Sequence, residues 1–189
     1  MHKSLFCRRG SVNNRRLVWI DLEMTGLDPN KESIIEIATI VTEGDLSIVA
    51  EGPVFAIEAP EHLISGMDEW NTEHHTKNGL IHRVRSEGTP MVEAERATLD
   101  FLGEHCEQGV LPLCGSSVHH DRRFLRRFMP DLDDFFSYRI VDVSSVKELV
   151  KRWHPKGPRF RKNSGHRALE DIRGSIEELR FYREHYFQD

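Results

Sequence analysis

Leu17, Val18, Trp19, Ile20 and Leu22 make a short apolar run that ends among acids, Asp21 and Glu23, and this pattern predicts a buried strand over Leu17 to Glu23. Met24 to Pro29 carries the glycine and proline of a turn. The β-branched runs Ile34 to Val41 and Ile48 to Ile57 predict two further strands, antiparallel neighbours of the first. A polar, histidine-rich helical stretch follows from about Glu61 to Arg85. Thr89-Pro90 predicts the N-cap and first position of a helix that runs to about Glu107, with Gly109 as its stop. Val110 to Ser116 then reads as a strand, His119 to Met129 as a helix closed by Pro130, and Arg139 to Val143 as a strand. Val146, Leu149, Val150 and Trp153 form one face of the next helix, ended by Pro155. Ile172, Ile176, Leu179, Tyr182 and Tyr186 mark the apolar stripe of the last one. No internal repeat and no second domain are visible.

Composition narrows the picture. At 189 residues, 38% hydrophobic and 30% charged, the chain suits one globular domain able to bury a core without disulfides. A net charge of −5 argues against a protein that coats long nucleic acids, which needs a broad basic face. It leaves room for an enzyme gripping a short substrate, and carboxylates gathered for metal would push the balance the same way. Cys7, Cys106 and Cys114 are too few and too scattered for a disulfide framework or a zinc site, which fits a reducing compartment and a cytoplasmic location. No apolar run approaches the roughly 18 residues a membrane span requires, so no membrane partner is expected. Residues 1–16 hold Lys3, Arg8, Arg9, Arg15 and Arg16 and no acid; they are expected to be a disordered basic tail, or the product of an early start codon, ahead of the domain at 17–189, with an organelle transit segment as the alternative. Pro155 to Asn163 is the one linker-like piece, basic through Lys156, Arg159, Arg161 and Lys162.

Three patterns carry candidate chemistry: Asp21-x-Glu23, Asp121 near a helix start, and His166-x4-Asp171. With 31 acidic residues and 11 histidines, such short spacings arise by chance about once each, so placement matters more than spacing. Asp21 and Glu23 lie two apart on a strand and leave the same face, with Cα atoms about 6.8 Å apart. They are either acids exposed or salt-bridged at a strand end, or a pair able to bracket divalent cations, which take hard oxygen ligands. Asp121 is either a helix-dipole acid or a further ligand. His119 and His120 before it read as solvated, and Arg122, Arg123, Arg126 and Arg127 spread over more than one helix face. His166 and Asp171 converge only if His166 sits before the helix, which Gly165 permits. A histidine placed there suits proton transfer from water near neutral pH.

In order and in wording these residues resemble the DEDDh 3′→5′ exonucleases, and the longer words are similar to the oligoribonucleases within that group. They are Asp21-Leu-Glu-Met-Thr-Gly-Leu-Asp-Pro29, Glu73-His-His-Thr-Lys-Asn-Gly-Leu80, Asp121-Arg-Arg-Phe-Leu125, Tyr138-Arg-Ile-Val-Asp-Val143 and Gly165-His-Arg-Ala-Leu-Glu-Asp171. The resemblance runs from about Leu17 to Tyr186. Ser116 departs from it, since Asn is expected there in many relatives, and the effect is expected to be small.

The resemblance implies an α/β fold, a ribonuclease H-like mixed sheet with helices on both faces. It implies that Asp21, Glu23, Asp121 and Asp171 hold two divalent cations, Mg²⁺ or Mn²⁺, and that His166 is the general base. It implies an RNA pocket in which Leu27 wedges against a base, Trp70 and His75 lie near the substrate, and Ser117, Arg139 and Ser144 cap the 5′ phosphate. Tyr138 would arrive from the partner subunit of a homodimer. The implied activity is cleavage of very short RNA, dinucleotides above all, to mononucleotides. From the residues alone, Leu27 reads as turn packing, Trp70 as core, and Tyr138-Arg139 as an ordinary strand start. The basic linker either supports phosphate binding or is a solvated loop. Two rivals stand beside this expectation. One is a related exonuclease acting on longer RNA or DNA 3′ ends, ribonuclease T-like or proofreading-like. The other is a nuclease-fold binding module without catalysis, which the presence of all four carboxylates and the histidine disfavours.

Overall fold

The computed structural model describes residues 15–161 and 167–187. Six strands form one sheet: β1 (Leu17–Met24), β2 (Ile34–Thr42), β3 (Ile48–Glu51), β4 (Phe55–Ala56), β5 (Leu113–Gly115) and β6 (Ile140–Asp142). Eight helices accompany them among the described residues: α1 (Glu61–Ser65), α2 (Glu69–Lys77), α3 (Leu80–Glu87), α4 (Met91–His105), α5 (His119–Phe128), α6 (Pro130–Phe135), α7 (Val143–Trp153) and α8 (Ala168–Tyr186).

The sheet order is β3-β2-β1-β5-β6, with β4 also on β2. β2 pairs antiparallel with β1, β3 and β4, whereas β1–β5 and β5–β6 are parallel. The sheet is therefore mixed, as expected. Its two faces follow the period-two alternation of β1. Val18, Ile20 and Leu22 pack with Ala94 and Leu102 of α4, Phe124 and Leu125 of α5 and Leu132 and Phe135 of α6. Trp19 faces the other way, with Val143 and Val150 of α7 and Ala168, Ile172 and Ile176 of α8. Helices thus cover both faces. A smaller cluster of Ile35, Ala56, Ile64, Leu80 and Val84 seats α1 and α3.

Several expected elements are redrawn. The strand expected over Ile48 to Ile57 is two short ones, and both pair with β2 rather than with β1. Pro53 offers no N–H to a ladder, and Gly52 is pressed so closely on Phe101 that a Cβ would lie 2.8 Å from its ring. The helical stretch from Glu61 to Arg85 is three helices, with Gly79 between the second and third in left-handed conformation at φ 77°. Thr89 does not cap α4: its N–H donates to Ala56 O at 2.8 Å and its carbonyl accepts from Glu58 N at 3.0 Å, so it extends the sheet and the helix starts at Met91. Pro130 opens α6 as well as following α5, because Leu132 and Phe135 give that turn an apolar side to bury. Pro112, also without a donor, shortens the strand expected over Val110 to Ser116 to three residues.

Of the expected basic tail, residues 1–14 lie outside the described residues. Arg16 is tied to the fold, donating to Glu43 Oε1 at 3.1 Å and to His105 O at 2.7 Å. The basic linker folds back on α8, where Tyr186 Oη donates to Pro158 O. Lys162 and Asn163 at its end lie outside the described residues. Among those residues no helix is long and apolar enough to cross a membrane.

Candidate active site

Asp21 and Glu23 alternate with the core residues Ile20 and Leu22, so both carboxylates leave the sheet on the Trp19 side, toward α8. There Asp171, in the first turn of α8, meets them. Oxygens of Asp21, Glu23 and Asp171 all lie within 4.8 Å of one another, each residue half-buried. Three carboxylates so close repel unless a positive charge joins them. Their donors are all hard oxygens, the set that divalent Mg²⁺ or Mn²⁺ takes, so the residues present fit such an ion.

Asp121 stands outside that 4.8 Å group but is docked beside it. β5 accompanies β1 only through Val18 and Trp19, and farther along the N–H of Leu22 is taken by Asp121 Oδ1 at 3.0 Å. Gly115 allows this approach: a Cβ there would lie 3.1 Å from both Ile20 O and Val118 Cγ2. Asp121 is buried, and burial pushes its carboxyl up to about 7, with Asp142 adding to the rise against the pull of the Leu22 N–H.

The residues expected to cap a 5′ phosphate divide into two sets. Ser117 and Ser144 are brought together by Asp142, whose Oδ1 accepts from both their N–H groups at 2.9 Å, and Ser117 Oγ donates to Ser144 Oγ at 3.1 Å. Ser117 adopts a left-handed backbone, φ 56°, in the turn between β5 and α5. Arg139 is not joined to that pair by a hydrogen bond among the described residues; its guanidinium lies over the Tyr138 ring at 4.6 Å. Tyr138 is 80% exposed, beside the sheet's edge strand β6.

Leu27 is exposed in the turn after β1, and Trp70 is exposed on α2, stacked on His74 with ring centroids 3.9 Å apart. Neither is core, contrary to the plain reading of Trp70. His75 is buried, with Nε2 3.3 Å from Met24 O, one residue beyond Glu23. His119 is largely exposed, its Nδ1 4.0 Å from Asp142 Oδ2. His166 lies outside the described residues.

Sequence reasoning missed Asp142 as an organising residue. A signal existed: an acid between a strand and a helix, two residues ahead of Ser144, is the pattern of an N-cap, and Asp142 is the N-cap of α7. It also missed Ser116 as a link, for Ser116 Oγ lies 2.9 Å from Ser175 Oγ, which in turn donates to Asp171 O at 2.8 Å.

Residues 18–179 match the exonuclease family. The chain is 55% identical to an oligoribonuclease of Marinobacter nauticus over 179 residues, covering 93% of this chain and 98% of that one. It is 57% identical to an oligoribonuclease of Dichelobacter nodosus over 171 residues, 90% and 94% of the two chains. Among solved structures, E. coli exonuclease I in complex with a dT13 oligonucleotide is similar at a TM-score of 0.70 and 14% identity, over 90% of this chain. The match spans 41% of that longer protein and bears on the fold alone, a ribonuclease H-like architecture.

Proposed function

The chain belongs to the oligoribonucleases of the exonuclease family, and from that membership we propose that it degrades very short RNAs, 5′-phosphorylated dinucleotides in particular, to 5′-mononucleotides. It is a 3′→5′ exoribonuclease, a hydrolase of phosphodiester bonds. The observation that carries the reading is the convergence of Asp21, Glu23 and Asp171 within 4.8 Å, with Asp121 docked on the same strand.

In this reading the four carboxylates hold two divalent cations, Mg²⁺ or Mn²⁺. Bound there, such ions supply water activation and neutralise charge developing on the phosphoryl oxygens and the leaving 3′ oxygen. His166, five residues ahead of Asp171 in the chain, takes the proton from the attacking water. Leu27 and Trp70 offer apolar faces to the bases, and His75 buttresses the turn that follows Glu23. Ser117 and Ser144, held by Asp142, grip the 5′ phosphate with Arg139. The partner subunit's Tyr138 closes the pocket in a homodimer, for which the exposure of Tyr138 and Ile140 at the sheet edge is the support. A cytoplasmic setting completes the reading, with Cys106 and Cys114 both buried as free thiols.

The test is a turnover series on 5′-phosphorylated RNAs of two to seven nucleotides, with wild type, Asp171→Asn and His166→Ala in Mg²⁺ or Mn²⁺. The expected result is fastest turnover of dinucleotides, near-total loss in Asp171→Asn, and loss in His166→Ala of the acid limb of the pH–rate profile. Near-wild-type rates in Asp171→Asn defeat the site assignment. Heptamers cut as well as dinucleotides favour a ribonuclease T-like activity instead.

A further inference from the structure

Glu36 is a fully buried carboxylate at the centre of the sheet, on β2 directly opposite Glu23 of β1. Opposed residues of an antiparallel pair share a face, so Glu36 points to the same side as Asp21 and Glu23. A carboxylate in that position needs partners, and among the described residues Glu36 has three. Arg83 of α3 donates from Nη1 to Oε1 at 2.5 Å, Arg167 Nε lies 3.6 Å from Oε1, and the backbone N–H of Ala168 donates to Oε2 at 3.0 Å.

The last of these contacts is the informative one. Ala168 is the first residue of α8, and the N-cap residue Arg167 makes no side-chain capping bond. The first N–H groups of a helix have no partner within it, and their dipole favours a negative charge. A strand residue distant in sequence therefore does the capping that the local chain does not. One turn on comes Asp171, whose own N–H bonds Arg167 O at 2.9 Å. Farther along, Ser175 holds the Asp171 carbonyl and is held in turn by Ser116. The opening turns of α8 are pinned from β2 on one side of Asp171 and from the end of β5 on the other.

We propose that Glu36 is a positioning residue for Asp171, one that sets the first turn of α8 at the height and rotation at which the Asp171 carboxylate joins Asp21 and Glu23. Both oxygens of Glu36 are engaged by Arg83 and Ala168, so it acts through the helix and not as a further ligand. Arg83 extends the arrangement to α3, where it also pairs with Glu87. The inference rests on the reading of Asp21, Glu23 and Asp171 as cation ligands.

The experiment measures Mn²⁺ affinity of the substrate-free protein by calorimetry or by the Mn²⁺ resonance signal, well below each variant's melting temperature. The variants are Glu36→Gln, Arg83→Met, Asp171→Asn and, as a control for weakened folding, Leu132→Ala in α6, a buried core residue on a helix that carries none of the proposed ligands. Loss of an outer partner of a metal ligand typically weakens binding tenfold to a hundredfold. Glu36→Gln is expected to bind Mn²⁺ about tenfold more weakly or worse, Arg83→Met to fall between it and wild type, and Leu132→Ala to bind normally despite a lower Tm. Should Glu36→Gln not fold, Arg83→Met carries the test. Wild-type Mn²⁺ affinity in the folded variant, with weak binding in Asp171→Asn, overturns the positioning role and leaves the cation site standing. Unchanged affinity in Asp171→Asn overturns the cation site and this inference with it.

Discussion

The Asp121 carboxylate accepts the backbone N–H of Leu22 at 3.0 Å across 99 residues of chain, so an acid from α5 is docked on β1 at the residue between Asp21 and Glu23. This bond separates the structural duty of Asp121 from its proposed ligand duty. Asp121→Asn keeps an oxygen able to accept from Leu22 and is expected to fold with a stability change within about 1 kcal/mol. Its turnover of dinucleotides should fall at least about a hundredfold, since a charged oxygen ligand is lost. Thermal unfolding and kcat measured on the same preparation check both halves.

Asp121 also predicts a pH dependence of the cation-free protein. Burial raises its carboxyl from an ordinary 3.8 to about 7. Between those values the folded protein holds a proton that the unfolded chain releases, so this group's contribution to stability declines as pH rises through that window. The loss is complete above about 7. A bound cation offsets it by replacing the proton. The rise in Tm on adding Mg²⁺ should therefore be larger at pH 8 than at pH 5.5, and the difference should shrink in Asp121→Asn. Equal shifts at both pH values would count against it.

Asp142 joins the turn after β5 to the start of α7, and its removal should show in both stability and specificity. Asp142→Ala loses an N-cap, which costs about 1 kcal/mol, and releases the N–H of Ser117 as well. The expected kinetic signature is a KM for 5′-phosphorylated dinucleotides raised about tenfold, with a smaller change for dinucleotides lacking that phosphate. An equal effect on both substrates would separate Ser117 and Ser144 from phosphate binding.

Thr39 is fully buried on β2, and its hydroxyl has no hydrogen-bond partner among the described residues. Thr39→Val keeps the β-branched shape and removes the unmet hydroxyl. It is expected to raise stability by about 1 kcal/mol, read from urea unfolding at unchanged m-value. A loss of stability would mean that the hydroxyl is engaged in solution.

Tyr138 is 80% exposed, with the half-exposed Ile140 beside it. If the partner subunit's Tyr138 closes the pocket, wild type sediments at twice the chain mass. Tyr138→Ala then loses dinucleotide turnover about tenfold while heptamer cleavage changes little. An active monomer, or equal loss on both lengths, removes Tyr138 from the pocket.

How much of this was legible in the sequence depended on the range of each interaction. The alternation of β1 alone put Asp21 and Glu23 on one face, because side-chain direction in a strand follows from the backbone. The stripe of Ile172 and Ile176 likewise marked the buried side of α8. The motif words identified the family and singled out Asp121 and Asp171, although no local rule says where either carboxylate points. Tertiary packing decided that. Asp171 meets Asp21 and Glu23 because α8 crosses their face of the sheet, and Glu36 caps that helix across 132 residues. Packing also split the strand expected over Ile48 to Ile57, where Gly52 is crowded by Phe101, and turned Trp70 outward onto α2's surface. The division has one physical cause. Periodicity records which side of an element avoids water, but a single donor such as the Leu22 N–H is claimed by whichever distant acceptor the packed elements bring within about 3 Å.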